Sequence, residues 1–345
     1  MPAPLEGQCL AGCLRSLPVR PTFTFGGGAM AVLVFDLGGT RTRAGLFDPG
    51  HSALARSVSA ATPNHLDFPQ SPFEHLRDEL LSSMERLAGD LVEPRMVTDL
   101  GVAFAGPIDS DGNVVAAPTL WGNRLTAPYA LRDDIARRWP DARVRILNDV
   151  TAAGFRYLRS TEEDFCIVTV SSGIGNKIFA GGRPLVGPNG AGGELGHLRV
   201  DDSDDAPLCD CGGRGHLGAV ASGRGVLAYA RKHVPDGDHL TSGDLVAAFR
   251  RGEPWAVRMI ERGAGPLGWA LAAMHLGLGI ERFVLFGGFA LALGNAYRRL
   301  VAAAANARCW KTPGGWERRV EMGIDDDFAG LIGAGIAVAA QGGVA

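Results

Sequence analysis

Lysine is scarce in this chain. Lys177, Lys232 and Lys311 are the only three among 345 residues, so nearly all of the basic charge is arginine. That imbalance reads as composition bias, and no function is assigned to it. A strong net charge is missing too: 34 basic side chains stand against 37 acidic ones, a net of −3. Such a balance argues against nucleic acid or an anionic membrane surface as the main partner. No positive start with a long apolar core opens the chain, so no signal peptide is read and a cytosolic (cytoplasmic) protein is expected. Residues 263–280 are uncharged, yet five glycines and one proline fall among them, and a buried helix is expected there in place of a membrane span. The six cysteines (Cys9, Cys13, Cys166, Cys209, Cys211 and Cys309) predict no disulfide framework. Absent as well are the G-x-x-x-x-G-K-[ST] loop of Walker-type ATPases and an early G-x-G-x-x-G opening a helix.

What the chain has is glycine, 49 copies of it, with no three-residue period and with apolar runs between the clusters. Collagen and low-complexity coil are both excluded. At about 150 residues per domain, the length suggests two domains. Residues 1–29 show no periodicity and are expected to be a disordered tail or a non-native extension.

Residues 31–36 (AVLVFD) read as a buried strand entering a tight turn at Gly38-Gly39, and residues 40–47 return as its hairpin partner. Phe73, Leu76, Leu80, Leu81, Met84 and Leu87 share one helical face. Strands follow at residues 100–104, ending at Gly106-Pro107, and at residues 144–147, ending at Asn148-Asp149 before an amphipathic helix at 151–158. A second round then begins. Residues 165–170 form a strand, Ser171-Ser172-Gly173-Ile174-Gly175 turns, and residues 177–180 return. A late strand at 283–286 ends at Gly287-Gly288, and residues 328–340 form a small-residue helix. The pattern is a coarse duplication of two α/β halves, each opening with a hairpin turned by small residues.

A phosphate needs several backbone N–H groups converging on it, and glycine lets the chain come that close. In Asp36-Leu37-Gly38-Gly39-Thr40-Arg41-Thr42, Thr40 adds a hydroxyl, Arg41 a charge and Asp36 a carboxylate able to hold Mg²⁺ through water. A plain hairpin turn is the alternative. Ser172-Gly173-Ile174-Gly175 and Gly287-Gly288 supply two further small-residue turns, which together suit a nucleoside triphosphate.

DLGGTRT, the SSGIG turn, GGELGH and CDCGGRGH, in this order, resemble the ROK family of repressors and sugar kinases from about Val32 to Ala340. The resemblance implies a two-lobed actin-like, hexokinase-type fold with ATP between the lobes. The small N-terminal lobe is expected at residues 30–147 with the helix at 328–341, and the large lobe at 148–327. It further implies that Gly38, Gly39 and Thr40 hold the β- and γ-phosphates, Ser172, Gly173 and Gly175 the phosphates from the other lobe, and Gly287-Gly288 the adenosine. Homodimers are usual in the family.

Phosphoryl transfer to a hydroxyl benefits from a carboxylate that takes the proton. Asn148-Asp149, at a strand end, reads equally as a helix cap. The resemblance implies Asp149 as general base and Asn148 as a substrate contact. His197, Cys209, Cys211 and His216 offer four ligands suited to tetrahedral Zn²⁺. The family pattern C-x-C-G-x-x-G-C-x-E is kept at Cys209, Cys211, Gly212 and Gly215; His216 stands for its third cysteine and Gly218 for its glutamate. The resemblance implies a structural zinc bracing the acceptor pocket.

Glu194 and His197, from E-x-G-H, are expected at the substrate, with Asn123 beside them in the loop after Pro118. Loss of a carboxylate at Gly218 argues against an unmodified glucokinase pocket. CDCGGRGHLGAVASGRG is further similar to kinases of seven-carbon, valiolone-type cyclitols, which phosphorylate an exocyclic primary hydroxyl. A glucokinase, another hexose or N-acylhexosamine kinase, and a non-catalytic sugar sensor stand as alternatives. A DNA-binding regulator is disfavoured, because the residues before Asp36 are rich in Pro and Gly and lack a helical period.

Overall fold

The hairpin read at residues 31–47 is the seed of the first sheet. In the computed structural model, which describes residues 32–187, 190–310 and 315–342, strands β1 (Val32–Leu37) and β2 (Arg41–Asp48) pair antiparallel. The expected tail at 1–29 lies outside the described residues. β3 (Ala53–Ala61) extends the hairpin as an edge strand, and its alternating exposure shows only one face covered. Helix α1 (Phe73–Gly89) buries Leu76, Leu80, Leu81, Met84 and Leu87, the face its periodicity predicts. β4 (Asp99–Phe104) returns parallel to β1. Short α2 (Pro118–Trp121) and α3 (Leu131–Arg138) lead to β5 (Arg143–Asn148), parallel to β4. The order is β3-β2-β1-β4-β5.

Helix α4 (Asp149–Arg156) carries the chain to the second sheet. There β6 (Phe165–Val170), β7 (Ile174–Ala180) and β8 (Arg183–Pro184) form an antiparallel meander. Four helices follow: α5 (Leu217–Ala221), α6 (Gly223–His233), α7 (Ser242–Arg250) and α8 (Pro254–Leu278). β9 (Phe283–Phe286) joins β6 in parallel, α9 (Gly288–Asn306) and α10 (Trp316–Arg319) follow, and β10 (Val320–Met322) pairs parallel to β9. The order β10-β9-β6-β7-β8 repeats the first sheet: a hairpin, its third strand, then two parallel strands on the other side. The duplication read from the two small-residue turns is thus a duplication of topology.

Helix α11 (Ala329–Gly342) ends the described chain. It lies with α4 between the two sheets. Ala152 and Leu331 pack with Val32, Val34 and Ala103 of the first sheet, whereas Ala153 and Ala337 pack with Phe165, Ile167 and Val284 of the second. Close approach sets the residues here: a Cβ on Gly333 would overlap the Ala152 carbonyl, and one on Gly335 would enter the Phe47 ring.

Residues 263–278 of the uncharged stretch fall in α8, which ends at the left-handed Gly279, and its buried face includes Ile260, Leu267 and Leu271 while Trp269 and Leu276 stay partly exposed. Among the described residues no helix is long and apolar enough to cross a membrane.

Candidate active site

A cleft of about 1470 Å³ opens where the ends of both central hairpins meet the N-termini of α4, α9 and α11. Asp36, Gly38, Gly39 and Thr40 line it from the first sheet, and Ser172, Gly173, Gly175, Gly287 and Gly288 from the second. Asn148, Asp149 and Glu194 line it as well.

The first turn is held from outside. Gly38 N–H donates to Arg41 O at 3.1 Å, and the buried Thr62 fastens the turn through its hydroxyl to Gly38 O (2.8 Å) and its N–H to Thr40 O (3.1 Å). The N–H groups of Gly39 and Thr40 have no partner among the described residues. The second turn is tied at Ser171, whose N–H bonds Gly173 O (2.9 Å) and whose carbonyl accepts from Gly223 N–H (2.8 Å), again leaving the N–H groups of Ser172 and Gly173 without a partner among the described residues. Four donors on two facing turns form an anion cradle.

Gly287 and Gly173 are glycines for different reasons. Gly287 has φ +93°, and a Cβ there would lie 2.5 Å from Thr169 Oγ1 and 2.9 Å from Val170 O. Gly173 has nothing within 4 Å of the Cβ position, so the protein itself imposes no reason for glycine at that point.

Asp149 is the first residue of α4. Its carboxylate accepts from Val150 N–H (2.8 Å) and from the Asn148 amide (2.9 Å). Burial nevertheless pushes its pKa up to about 6. Asn148 is the helix cap: Oδ1 accepts from Val150 N–H (3.1 Å) and Thr151 N–H (3.2 Å), and Nδ2 also bonds Gly106 O (3.1 Å). Of the two residues that the sequence offers as a helix cap, Asn148 takes that role and leaves the Asp149 carboxylate at the cleft. Asn148 spends its amide on the cap and on orienting Asp149.

Across the cleft, Asp36 sits on β1 with Arg43 at 3.6 Å. Burial pushes Asp36 up to about 7 despite Arg43, and the negative charges of Asp149 and Asp327 add to the rise. Such a site gains from a divalent cation, and the oxygen donors fit Mg²⁺.

Arg41 does not line the cleft; its guanidinium donates to Ser59 Oγ at 3.0 Å. The arginine of this hairpin that does line it is Arg43, bound to Asp327 Oδ2 at 2.9 Å. Hairpin register was the available signal, since Arg43 sits directly across from Asp36. No local signal marks Asp327, which the loop before α11 brings in from the far end of the chain. Asn123 is exposed and lies outside the cleft lining. Its neighbour Trp121 is fully buried among Phe73, Phe104 and Tyr129, so that indole packs the core and offers no face to a ligand.

The sequence-predicted metal ligands come together. Donor atoms of His197, Cys209, Cys211 and His216 all lie within 4.8 Å of one another. Cys209 Sγ is 3.7 Å from His197 Nδ1, and Cys211 Sγ is 3.2 Å from His216 Nδ1. His197 also faces the cleft residue Glu194, Nε2 to Oε2 at 3.9 Å.

Comparison with known proteins agrees with this architecture. The ROK family model matches residues 32–341. A C(7)-cyclitol 7-kinase of Streptomyces hygroscopicus subsp. jinggangensis is 38% identical, over 90% of this chain and 94% of that protein. An N-acetylmannosamine kinase of Pasteurella multocida is 28% identical, over 88% and 95%. The crystal structure of a ROK hexokinase from Thermus thermophilus superposes with a TM-score of 0.71 at 28% identity, covering 90% of this chain and 99% of that one. Two topologically repeated halves around a glycine-turned cleft form the expected actin-like α/β fold, and the chain belongs to the ROK family.

Proposed function

We propose that the protein is an ATP-dependent kinase that phosphorylates the exocyclic primary hydroxyl of a sugar-like polyol, with a seven-carbon cyclitol as acceptor. The observation that carries the reaction type is Asp149, a buried carboxylate with a pKa near 6, set on a helix N-terminus opposite two turns with free N–H donors. The 38% identity to a cyclitol kinase along nearly the whole chain, together with glycine at 218, supports the acceptor class.

The turns at Gly38-Gly39-Thr40 and Ser172-Gly173 grip the triphosphate, and Gly287-Gly288 lets the adenosine approach β9. Asp36 would hold Mg²⁺, and the cation, when bound, would neutralise phosphate charge. Asp149, ionised above about pH 6, accepts the hydroxyl proton as the oxygen attacks the γ-phosphorus, while Asn148 fixes the carboxylate's direction. Closing of the two lobes on the substrates expels water, which protects ATP from hydrolysis.

His197, Cys209, Cys211 and His216 fit a structural Zn²⁺, with spacings that bring two thiolates and two imidazoles around one point. Were His197 Nδ1 to bind the metal, its Nε2 would still face Glu194, 3.9 Å away at the edge of the cleft. Metal analysis of purified protein is expected to find about one zinc per chain, and chelation to lower the melting temperature and raise the acceptor KM. Zinc-free protein of full activity would refute the site.

The function is tested by incubating the protein with ATP, Mg²⁺ and a panel of glucose, mannose, N-acetylmannosamine and valiolone-type cyclitols. Highest kcat/KM on a cyclitol is expected. Preference for a hexose makes it a sugar kinase with a drifted pocket, and no transfer to any acceptor makes it a sensor.

A further inference from the structure

The mechanism leaves a buried cation in the wall of the cleft unused. Lys177, one of only three lysines, lines the cleft on β7 and is 5% exposed. It follows Gly175 by two residues and so shares its face of the strand. Its ammonium donates to Gly192 O at 2.6 Å and makes no ion pair within 4 Å among the described residues. Glu194 is the carboxylate whose field it feels, and burial holds its pKa below the usual lysine value.

The surroundings are built around it. Asn176 N–H donates to Gly193 O (3.3 Å), and Asn176 Oδ1 accepts from Leu195 N–H (3.1 Å). With the Lys177–Gly192 bond, this dipeptide grips the loop on both sides of Glu194. Gly193, at φ +93°, passes so near that a Cβ would lie 2.9 Å from Lys177 Nζ.

An ammonium buried with one hydrogen bond and no carboxylate in contact is costly, and an apolar side chain of equal length would fill the space more cheaply. Two of its three N–H groups remain for a ligand. Beside it stands Glu194, which only accepts when ionised. A donor next to an acceptor complements two neighbouring ring hydroxyls of a polyol.

We propose that Lys177 is a specificity-determining residue of the acceptor pocket, its ammonium donating to the oxygen of a ring hydroxyl next to the hydroxyl that hydrogen-bonds to Glu194. This rests on the kinase reading above and names the group that reads the acceptor.

Steady-state kinetics of wild type and Lys177→Met with the best acceptor of the panel test it. The acceptor KM is expected to rise about 10- to 100-fold, with the KM for ATP and the melting temperature unchanged. A series of deoxy acceptors, each lacking one ring hydroxyl, then locates the contact. One analogue is expected to be as poor for wild type as the parent is for Lys177→Met, with no further loss when both changes are combined. Equal losses on every analogue mean that the lysine only holds the loop, and overturn the proposal. Lys177→Gln, which keeps a donor for Gly192 O, gives the same decision if the Met variant fails to fold. An unaffected variant of an active kinase overturns the role of Lys177 alone. A wild type that phosphorylates no polyol overturns the kinase reading, and this proposal with it.

Discussion

At the scale of single residues, two buried carboxylates dominate. Asp149→Asn keeps the shape and the cap but removes the proton acceptor. Its kcat is expected to fall about 10²- to 10⁴-fold while nucleotide binding, followed by calorimetry, changes little. Wild-type turnover should decline as pH drops below about 6, where Asp149 takes up a proton. Asp36 makes a thermodynamic prediction. Its folded pKa, about 7, stands above the unfolded value of 3.8, so the folded state binds the extra proton between those limits. Stability contributed by this group is therefore full below about pH 4 and lost as pH rises towards 7. Without nucleotide and Mg²⁺, Asp36→Asn should match wild type in melting temperature near pH 4 and exceed it increasingly towards pH 7, yet be inactive. A constant difference across that range would show that Asp36 is not strained. Both carboxylates were legible in the sequence because each closes an apolar strand. Arg43 and Asp327 were not, since one depends on hairpin register and the other on a contact 284 residues away.

At the scale of elements, the turns separate two uses of glycine. A Cβ at Gly173 would meet no described protein atom, so Gly173→Ala should leave the melting temperature unchanged and raise the KM for ATP about tenfold, because the added methyl is expected to occupy phosphate space. Gly287→Ala should instead lower stability by about 1–3 kcal/mol in denaturant titration, since it forces a side chain into positive φ against Val170 O. Similar stability losses in both variants would remove the distinction. Apolar runs ending in small residues made β1, β4, β5, β6 and β9 readable. β3 escaped notice because its ALARSVSAA sequence offers little apolar alternation, and β10 because three residues are too few for a period. The helix at Asn148-Asp149 was readable in kind, but which of the two polar residues caps it depends on atoms of α4 itself.

At the scale of the whole molecule, α4 and α11 form the layer shared by both sheets, and their contact is close because Gly333 faces the Ala152 carbonyl. Gly333→Ala should separate these helices, lower stability by about 3 kcal/mol and impair turnover through the displaced N-terminus of α4, which carries Asp149. Thermal melts and kcat on the same preparation check this, and unchanged values in both would show that the layer is not a strict spacer.

The sequence alone determined the repeated hairpins, the glycine turns, the two strand-end carboxylates and the four metal-type ligands. Each rests on residue chemistry at short spacing, where backbone geometry leaves few choices. Tertiary structure decided what long loops and distant elements bring together: Arg43 with Asp327, Thr62 behind the first turn, α11 between the sheets, and Trp121 in the core away from the cleft. It also decided the standing of Lys177. A scarce residue type carries no signal of position, and only the folded loop around Glu194 places that ammonium, buried and with hydrogen bonds to spare, in the wall of the cleft.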